Sequence, residues 1–446
     1  MWEKRWDESE AKLGPVCTAA LKKLYDFYGD NIYKWFARLY EPEIGAFYYS
    51  DSARDYEGFL PDIESTTQCT EMVAGTGMAV GYNVSNMGFA LPDDIRLKIM
   101  HFAQSLQDEG DGFFYHKQWG KSIYAARKGR DINSSIGVIR RMGGEPLYKT
   151  ALERLRETPR EDMAKVSSVP EYMTDIAKLD EYLATLNVNY DSHGVGHTLE
   201  SQGSQFKATG VIDHVCDWLD AHQLESGLWQ PVTDRPYTAL SGLLKIGSFY
   251  NIAGRQMKYC DKMVDAAIDI ILCDEDPTFV ILVYNPWGGL RYAFLNMNKA
   301  NRAAEERGEP LPYDIDAARE KLKARLPEMI DKTIEKLAKF RKPDGSFSYC
   351  QKFSSPHTQG TPVSLGVFEG DVNGTALAMN TMSSTIFEVL GIARVPLYSP
   401  ADFEEFVRIL KEQKVPVKKP VPLDNPSFKA HLSIVPEVLS NVFKEP

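Results

Sequence analysis

Four short stretches of this chain share one pattern, a glycine, any residue and then an aromatic ring, each just after a segment with helical periodicity. They are Gly45-Ala-Phe47, Gly112-Phe-Phe114, Gly227-Leu-Trp229 and Gly345-Ser-Phe347, spaced by 67, 115 and 118 residues. The last two intervals are close to twice about 58, which puts further units without the signature near residues 170 and 286. Such a unit is longer than common solenoid repeats and fits one helical hairpin with a long loop.

The segments ahead of the signature, 92–109, 205–223 and 316–341, are amphipathic at the 3.6-residue period and rich in charge. Those after it, 61–81, 234–251 and 370–391, are helical too but carry more Gly, Ser, Thr and Asn. Charged outer helices alternating with small, semi-polar inner ones describe two concentric rings, because small side chains let helix backbones come close. The expected fold is all-α. It is an (α/α) toroid of about six helical hairpins over residues 1–413, with short β-hairpins (AFYYS, DGFFYH) in the loops on one rim. Residues 414–446, spotted with proline and apolar side chains, are expected to pack on the toroid or on a neighbouring subunit, so a homo-oligomer is one expected assembly.

The stretches LQDEGDGFF, LDAHQLESGLW and KFRKPDGSF resemble the Q-x-x-x-G-x-W/F repeats of terpenoid cyclases and protein prenyltransferases. The resemblance covers about residues 30–400 and implies the toroid architecture. It stops short of the chemistry. The Asp-x-Asp-Asp acid of squalene-type cyclases is present only as DEDPT (274–278), with Pro277 in the third acidic place. The Asp, Cys and His zinc pattern of the prenyltransferases is not recognisable. Several polysaccharide lyases and the unsaturated-uronyl hydrolases share the toroid, so the fold leaves the activity open.

Net charge is −11, which argues against a general nucleic-acid binder. No apolar run approaches the ~18 residues of a membrane span, and the polar start MWEKRWDESEAK has no signal-peptide core. A cytoplasmic protein with no membrane partner is the expectation. Six cysteines without CxxC spacing read as reduced, mostly buried thiols. One segment breaks the acidic trend: residues 117–141 hold seven Lys and Arg against one Asp. Either it is a solvated stretch, or Lys117, Lys121, Arg127 or Arg130 lines a cavity mouth and attracts an anionic ligand.

Free N–H groups and the positive dipole end make inner-helix starts good hosts for polar ligands. The polar residues expected on that face are Arg54, Asp62 and Glu64; Asp131 and Asn133; Asp234 and Tyr237; Tyr284, Asn285 and Arg291; and Glu369, Asp371 and Asn373. The aspartates are equally explained as helix N-caps. Trp119, Trp229 and Trp287 are candidates for stacking on sugar faces, or else they pack within their own loops. Arg54, Glu64, Trp119, Arg130, Asn133, Trp229, Asn285, Trp287, Asp371 and Asn373 form the expected substrate-binding set.

The stretch 193–197 reads HGVGH, and its two glycines weaken the helix that a metal pair at this spacing needs. No metal and no cofactor are expected, since no third ligand and no phosphate-binding glycine loop are evident. His193 and His197 are either structural or imidazoles on a glycine-permitted turn facing a substrate. With Tyr237, Tyr284 and Arg291 they make the expected catalytic set. These residues suit β-elimination on a uronate glycan, in which a positive or amide group neutralises the carboxylate and a Tyr or His moves the proton. An acidic oligo- or polysaccharide is then the substrate and the protein a polysaccharide lyase. The alternatives are a glycoside hydrolase drawing on Asp62, Glu64, Asp131, Glu369 and Asp371, a terpenoid-cyclase-like isomerase, or a glycan-binding protein.

Overall fold

The computed structural model describes residues 2–233 and 235–418; Asp234 and the tail from 419 lie outside the described residues, and with them the expectations placed there. The chain is predominantly helical, with two small two-stranded sheets. Among the described residues no helix is long and apolar enough to cross a membrane. Two compact units divide the chain, one from Met1–Phe27, Leu152–Leu337 and Met382–Arg394, the other from Tyr28–Ala151, Ala338–Thr381 and Val395–Pro446.

In the first unit four helices pack in series: Ser192–Ser201 on Pro236–Ala253, that on Ile281–Glu306, and that on Met382–Leu390. Glycine sets their closeness. A Cβ at Gly242 would stand 2.1 Å from Ser192 Oγ, one at Gly196 2.9 Å from Lys245 Cβ, and one at Gly247 2.7 Å from Tyr292 Cβ. The Gly, Ser and Thr content of these segments therefore serves helix contact, as expected. Helices Ile212–His222 and Cys260–Leu272 are amphipathic, burying Val215, Cys216 and Leu219, and Met263, Val264 and Ala267. The expected single helix over 205–223 is two, Gly203–Ala208 and Ile212–His222, separated at Gly210 with φ 77°.

In the second unit Ile63–Gly75 packs against Ala125–Arg141, which also meets Asp93–Ser105. Ile63–Gly75 further touches Val372–Thr375 and a π-helical stretch, Ala376–Thr381. Gly75 is needed there, because a Cβ would fall 1.9 Å from Asn380 Oδ1.

The repeated signature is a structural unit. Gly45 (φ 80°) and Gly345 (φ 88°) hold the left-handed backbone that only glycine adopts freely, and Gly112 and Gly227 do the same. The ring two residues on is buried each time, Phe47 at 1% exposure and Phe114, Trp229 and Phe347 at 0%. Each is worth about 1.5–3 kcal/mol of burial. Around Gly45 the turn closes the hairpin Tyr40–Glu41 with Ala46–Phe47. Phe47 and Phe347 are then treated alike. Their backbone N–H groups donate to Thr66 Oγ1 and Thr375 Oγ1, both at 3.0 Å, and their carbonyls accept from the backbone N–H of Asp62 and Asp371, the N-caps of Ile63–Gly75 and Val372–Thr375. A bridge between Ser50 and Asp371 sets the two copies side by side.

Candidate functional site

The second unit gathers an ionic cluster at the start of Ile63–Gly75. Arg127, wholly buried, lies in the first turn of Ala125–Arg141 and reaches three carboxylates: Glu64 at 2.9 Å, Asp131 at 2.9 Å and Asp62 at 3.6 Å. It also donates to Thr358 Oγ1, and the Trp119 ring lies 4.6 Å below its guanidinium. His116 also stacks on that indole, with centroids 4.0 Å apart. Arg130, partly exposed, pairs with the other oxygen of Glu64. Farther along the same helices Gln68 donates to Asn373 at 3.1 Å, and Arg141 meets Glu71 at 2.6 Å. Glu64, Gln68 and Glu71 share one face of their helix, as do Arg130 and Arg141 of theirs.

Burial and charge decide the protonation of this group. Burial alone would lower Arg127, but Asp131, Glu64 and Asp62 outweigh it and hold the guanidinium firmly charged. Asp131 Oδ1 lies 2.9 Å from Arg127 Nε, both groups fully buried. Burial accordingly pushes its carboxyl up to about 6, against the pull of Arg127. Asp62 is raised for the same reason.

Two more acids stand at the neighbouring helix start. Burial lifts Glu369 to about 7, although Ser52 N (2.7 Å), Ser52 Oγ (2.6 Å) and Ser354 Oγ (2.8 Å) all donate to it. Burial likewise lifts Asp371 to about 6 against donation from the backbone of Tyr349, Gly374 and Ser355. Tyr349 lies in the field of Asp371, Arg130 and Glu64, so its phenol links the two acid groups.

Of the expected residues, Glu64, Arg130, Asp371 and Asn373 come together here. Asn133 is exposed on the same helix as Arg130. Asp131 is in the middle of Ala125–Arg141, not at its start, because that helix begins six residues earlier than expected. Arg54 belongs elsewhere, held by Asp51 and Asp55 at 2.7 Å each. The three tryptophans are corrected as sugar platforms. Trp119, Trp229 and Trp287 are 2%, 0% and 0% exposed, and the last two donate to Leu219 O and Thr333 Oγ1. Amphipathic rings in short loops are drawn into the core when a partner meets the indole N–H. In the basic segment Lys121 is matched by Asp108 and Asp111 and Arg127 and Arg130 are paired as above, whereas Lys117 lines a cavity.

The expected catalytic set lies in the first unit. HGVGH is helical, within Ser192–Ser201, and not the turn expected. Asp191 caps it by accepting from Gly194 N at 3.0 Å, and Gly196 is spent on packing against Lys245 and Ile246. One capped turn and one close helix contact offset the glycines' cost. His193 and His197 are half-buried with rings 6.5 Å apart. Burial, then Lys245, lowers His193 to about 4, so it is neutral. Tyr284 and Arg291 share a face of Ile281–Glu306; burial pushes the phenol up to about 12 against a bond to Thr385 and the charge of Arg291, which pairs with Glu388 at 2.6 Å. Tyr237 and Asn285 are buried and committed, Tyr237 to Glu275 O at 3.0 Å and Asn285 to Ser241 Oγ at 2.9 Å. Both are corrected as substrate-facing groups.

Sequence reading missed the hairpin His357–Thr358 with Thr361–Pro362, which brings Thr358 and Gln359 to Arg127. Its signal was present. Gln359-Gly360, with φ 42° and 83°, is a two-residue turn of the kind that suits a hairpin. Tyr49 and Tyr349 were also legible, each four residues after its signature glycine. Comparison with protein-family models, with curated proteins and with solved structures finds no match to this chain.

Proposed function

We propose that the protein is a carbohydrate-active enzyme on an (α/α) toroid, and that it hydrolyses a glycosidic bond in an acidic oligosaccharide, in the manner of the unsaturated-uronyl hydrolases. One observation carries this reading: in the second unit five buried or half-buried carboxylates, Asp62, Glu64, Asp131, Glu369 and Asp371, gather with three cations among the described residues, Arg127, Arg130 and Lys342. A surplus of acids in a poorly solvated site keeps some protonated and others ionised at neutral pH, which is the division that glycoside hydrolysis needs. Glu369 holds its proton near neutrality and acts as general acid. Glu64, kept charged by both arginines, acts as the base or nucleophile. Gln68, Asn373 and Tyr349 offer donors and acceptors to sugar hydroxyls, and Arg130 meets the substrate's carboxylate. The toroid rests on the recurring hairpin-and-cap unit and on inner helices packed through glycine.

β-Elimination is the second reading, favoured by Tyr284 and Arg291 on one helix face. Arg291 is paired with Glu388 just as Arg130 is with Glu64, so the choice between the two readings rests on the surplus of acids in the second unit. One assay separates the two. Incubation with 4,5-unsaturated uronyl oligosaccharides should lower their ultraviolet absorbance as the double bond is lost. A rise in absorbance on saturated uronate glycans would make elimination the activity, and no change with either substrate would overturn both.

A further inference from the structure

A cavity of about 330 Å³ opens in the second unit, beside the ionic cluster. That is the small end of the ~300–1,000 Å³ range of ligand sites. Its body is apolar, from Ile44, Leu60, Phe102 and Leu106. Two opposite charges, Glu43 and Lys117, also line it, both exposed, and neither side chain is in an ion pair among the described residues.

The walls are fixed before any ligand arrives. Gln118 clamps one of them, accepting from Leu60 N at 2.6 Å and donating to Gly58 O at 2.7 Å. Lys98 ties down another by donating to Pro42 O at 2.7 Å, and Gly45 lies so close to Lys98 that a Cβ would meet its backbone carbon at 2.5 Å. At the back, His116 bonds to Pro61 O at 3.2 Å. Preformed walls reduce the ordering cost of binding.

We propose that this cavity binds a small zwitterion with an apolar body, an aromatic or branched α-amino acid. Lys117 takes the carboxylate, Glu43 the ammonium, and the apolar walls the side chain. The site is independent of the glycosidase reading. Its inner wall abuts the ionic cluster all the same, since Pro61 precedes Asp62 and His116 stacks on the ring beneath Arg127.

The test is calorimetric titration of the full chain with L-phenylalanine, N-acetyl-L-phenylalanine and phenethylamine. The first should bind saturably at one site with Kd on the order of 0.1–1 mM, as its size allows. The other two, each lacking one charge, should bind about two- to fivefold more weakly, the range of one lost exposed charge contact. Lys117→Glu and Glu43→Lys should each weaken phenylalanine by a similar factor. Ser105→Trp, which fills the cavity from an exposed helix position, should abolish binding while leaving the far-ultraviolet circular dichroism and Tm unchanged. Equal binding of the three compounds, survival of binding in folded Ser105→Trp, or no saturable binding overturns the proposal.

Discussion

Arg127 is where a single side chain decides most. It neutralises carboxylates that have left water, so removing it leaves Asp62, Glu64 and Asp131 buried without their cation. Arg127→Met should destabilise the fold by about 3–5 kcal/mol at pH 8, the usual cost of breaking a buried pair. Much of that loss should return at pH 5, where the acids take up protons, and urea denaturation at the two pH values measures both effects. Glu64→Gln keeps the shape and removes the charge. On the proposed reading it lowers kcat per folded molecule about a hundredfold or more, a loss distinct from the stability lost with its pairs to Arg127 and Arg130. Activity retained in this variant would remove Glu64 from the mechanism.

Helix contacts are decided by glycines. Alanine is a better helix former than glycine by about 1 kcal/mol, so Gly242→Ala ought to stabilise an isolated helix. Here its Cβ would stand 2.1 Å from Ser192 Oγ and 2.5 Å from Ser192 Cβ, and the substitution should instead cost about 1–3 kcal/mol through overpacking. Ser192→Gly in the same chain should restore part of it, a coupling that a double-mutant cycle of denaturation midpoints detects. Additive effects would mean that the two helices do not meet through this pair.

Across the whole molecule, the raised acids make stability depend on pH in an unusual sense. Glu369 (about 7) and Asp131 and Asp371 (about 6) hold protons more tightly folded than unfolded. Their contribution is complete below the unfolded pKa of about 4 and is lost as pH rises through 6 to 7. His193, lowered to about 4, acts oppositely: its contribution is present above about 6.5 and falls away toward pH 4. His116, lowered by burial to about 3, and His357, lowered likewise, act in the same sense as His193, so acids and histidines oppose each other between pH 8 and 5. The acid contribution is isolated by one variant: Glu369→Gln should stabilise the chain at pH 8 and have little effect at pH 5, read from denaturant midpoints at the two pH values. An equal effect at both would show Glu369 to be ionised in the folded state throughout.

Local chemistry was sufficient for much of this. A glycine that must take positive φ, a ring two residues on that must leave water, and an aspartate that caps the following helix are requirements of neighbouring residues, so they were readable at Gly45, Phe47 and Asp62 and again at Gly345, Phe347 and Asp371. Helix periodicity located the helices at 61–81, 92–109, 234–251 and 316–341, and the small residues pointed to close helix packing. What lay beyond the sequence was which polar groups meet. Glu64 and Arg130, 66 residues apart in sequence, pair because two helices cross, and Thr358 reaches Arg127 from 231 residues away. Tryptophans that composition offers to a ligand were taken by the core, and histidines whose glycines suggested a turn were held in a helix by Asp191 and by contact with Lys245 and Ile246. Burial, and with it the protonation of every acid in the cluster, is a sum over distant neighbours, and only the tertiary structure fixes that sum.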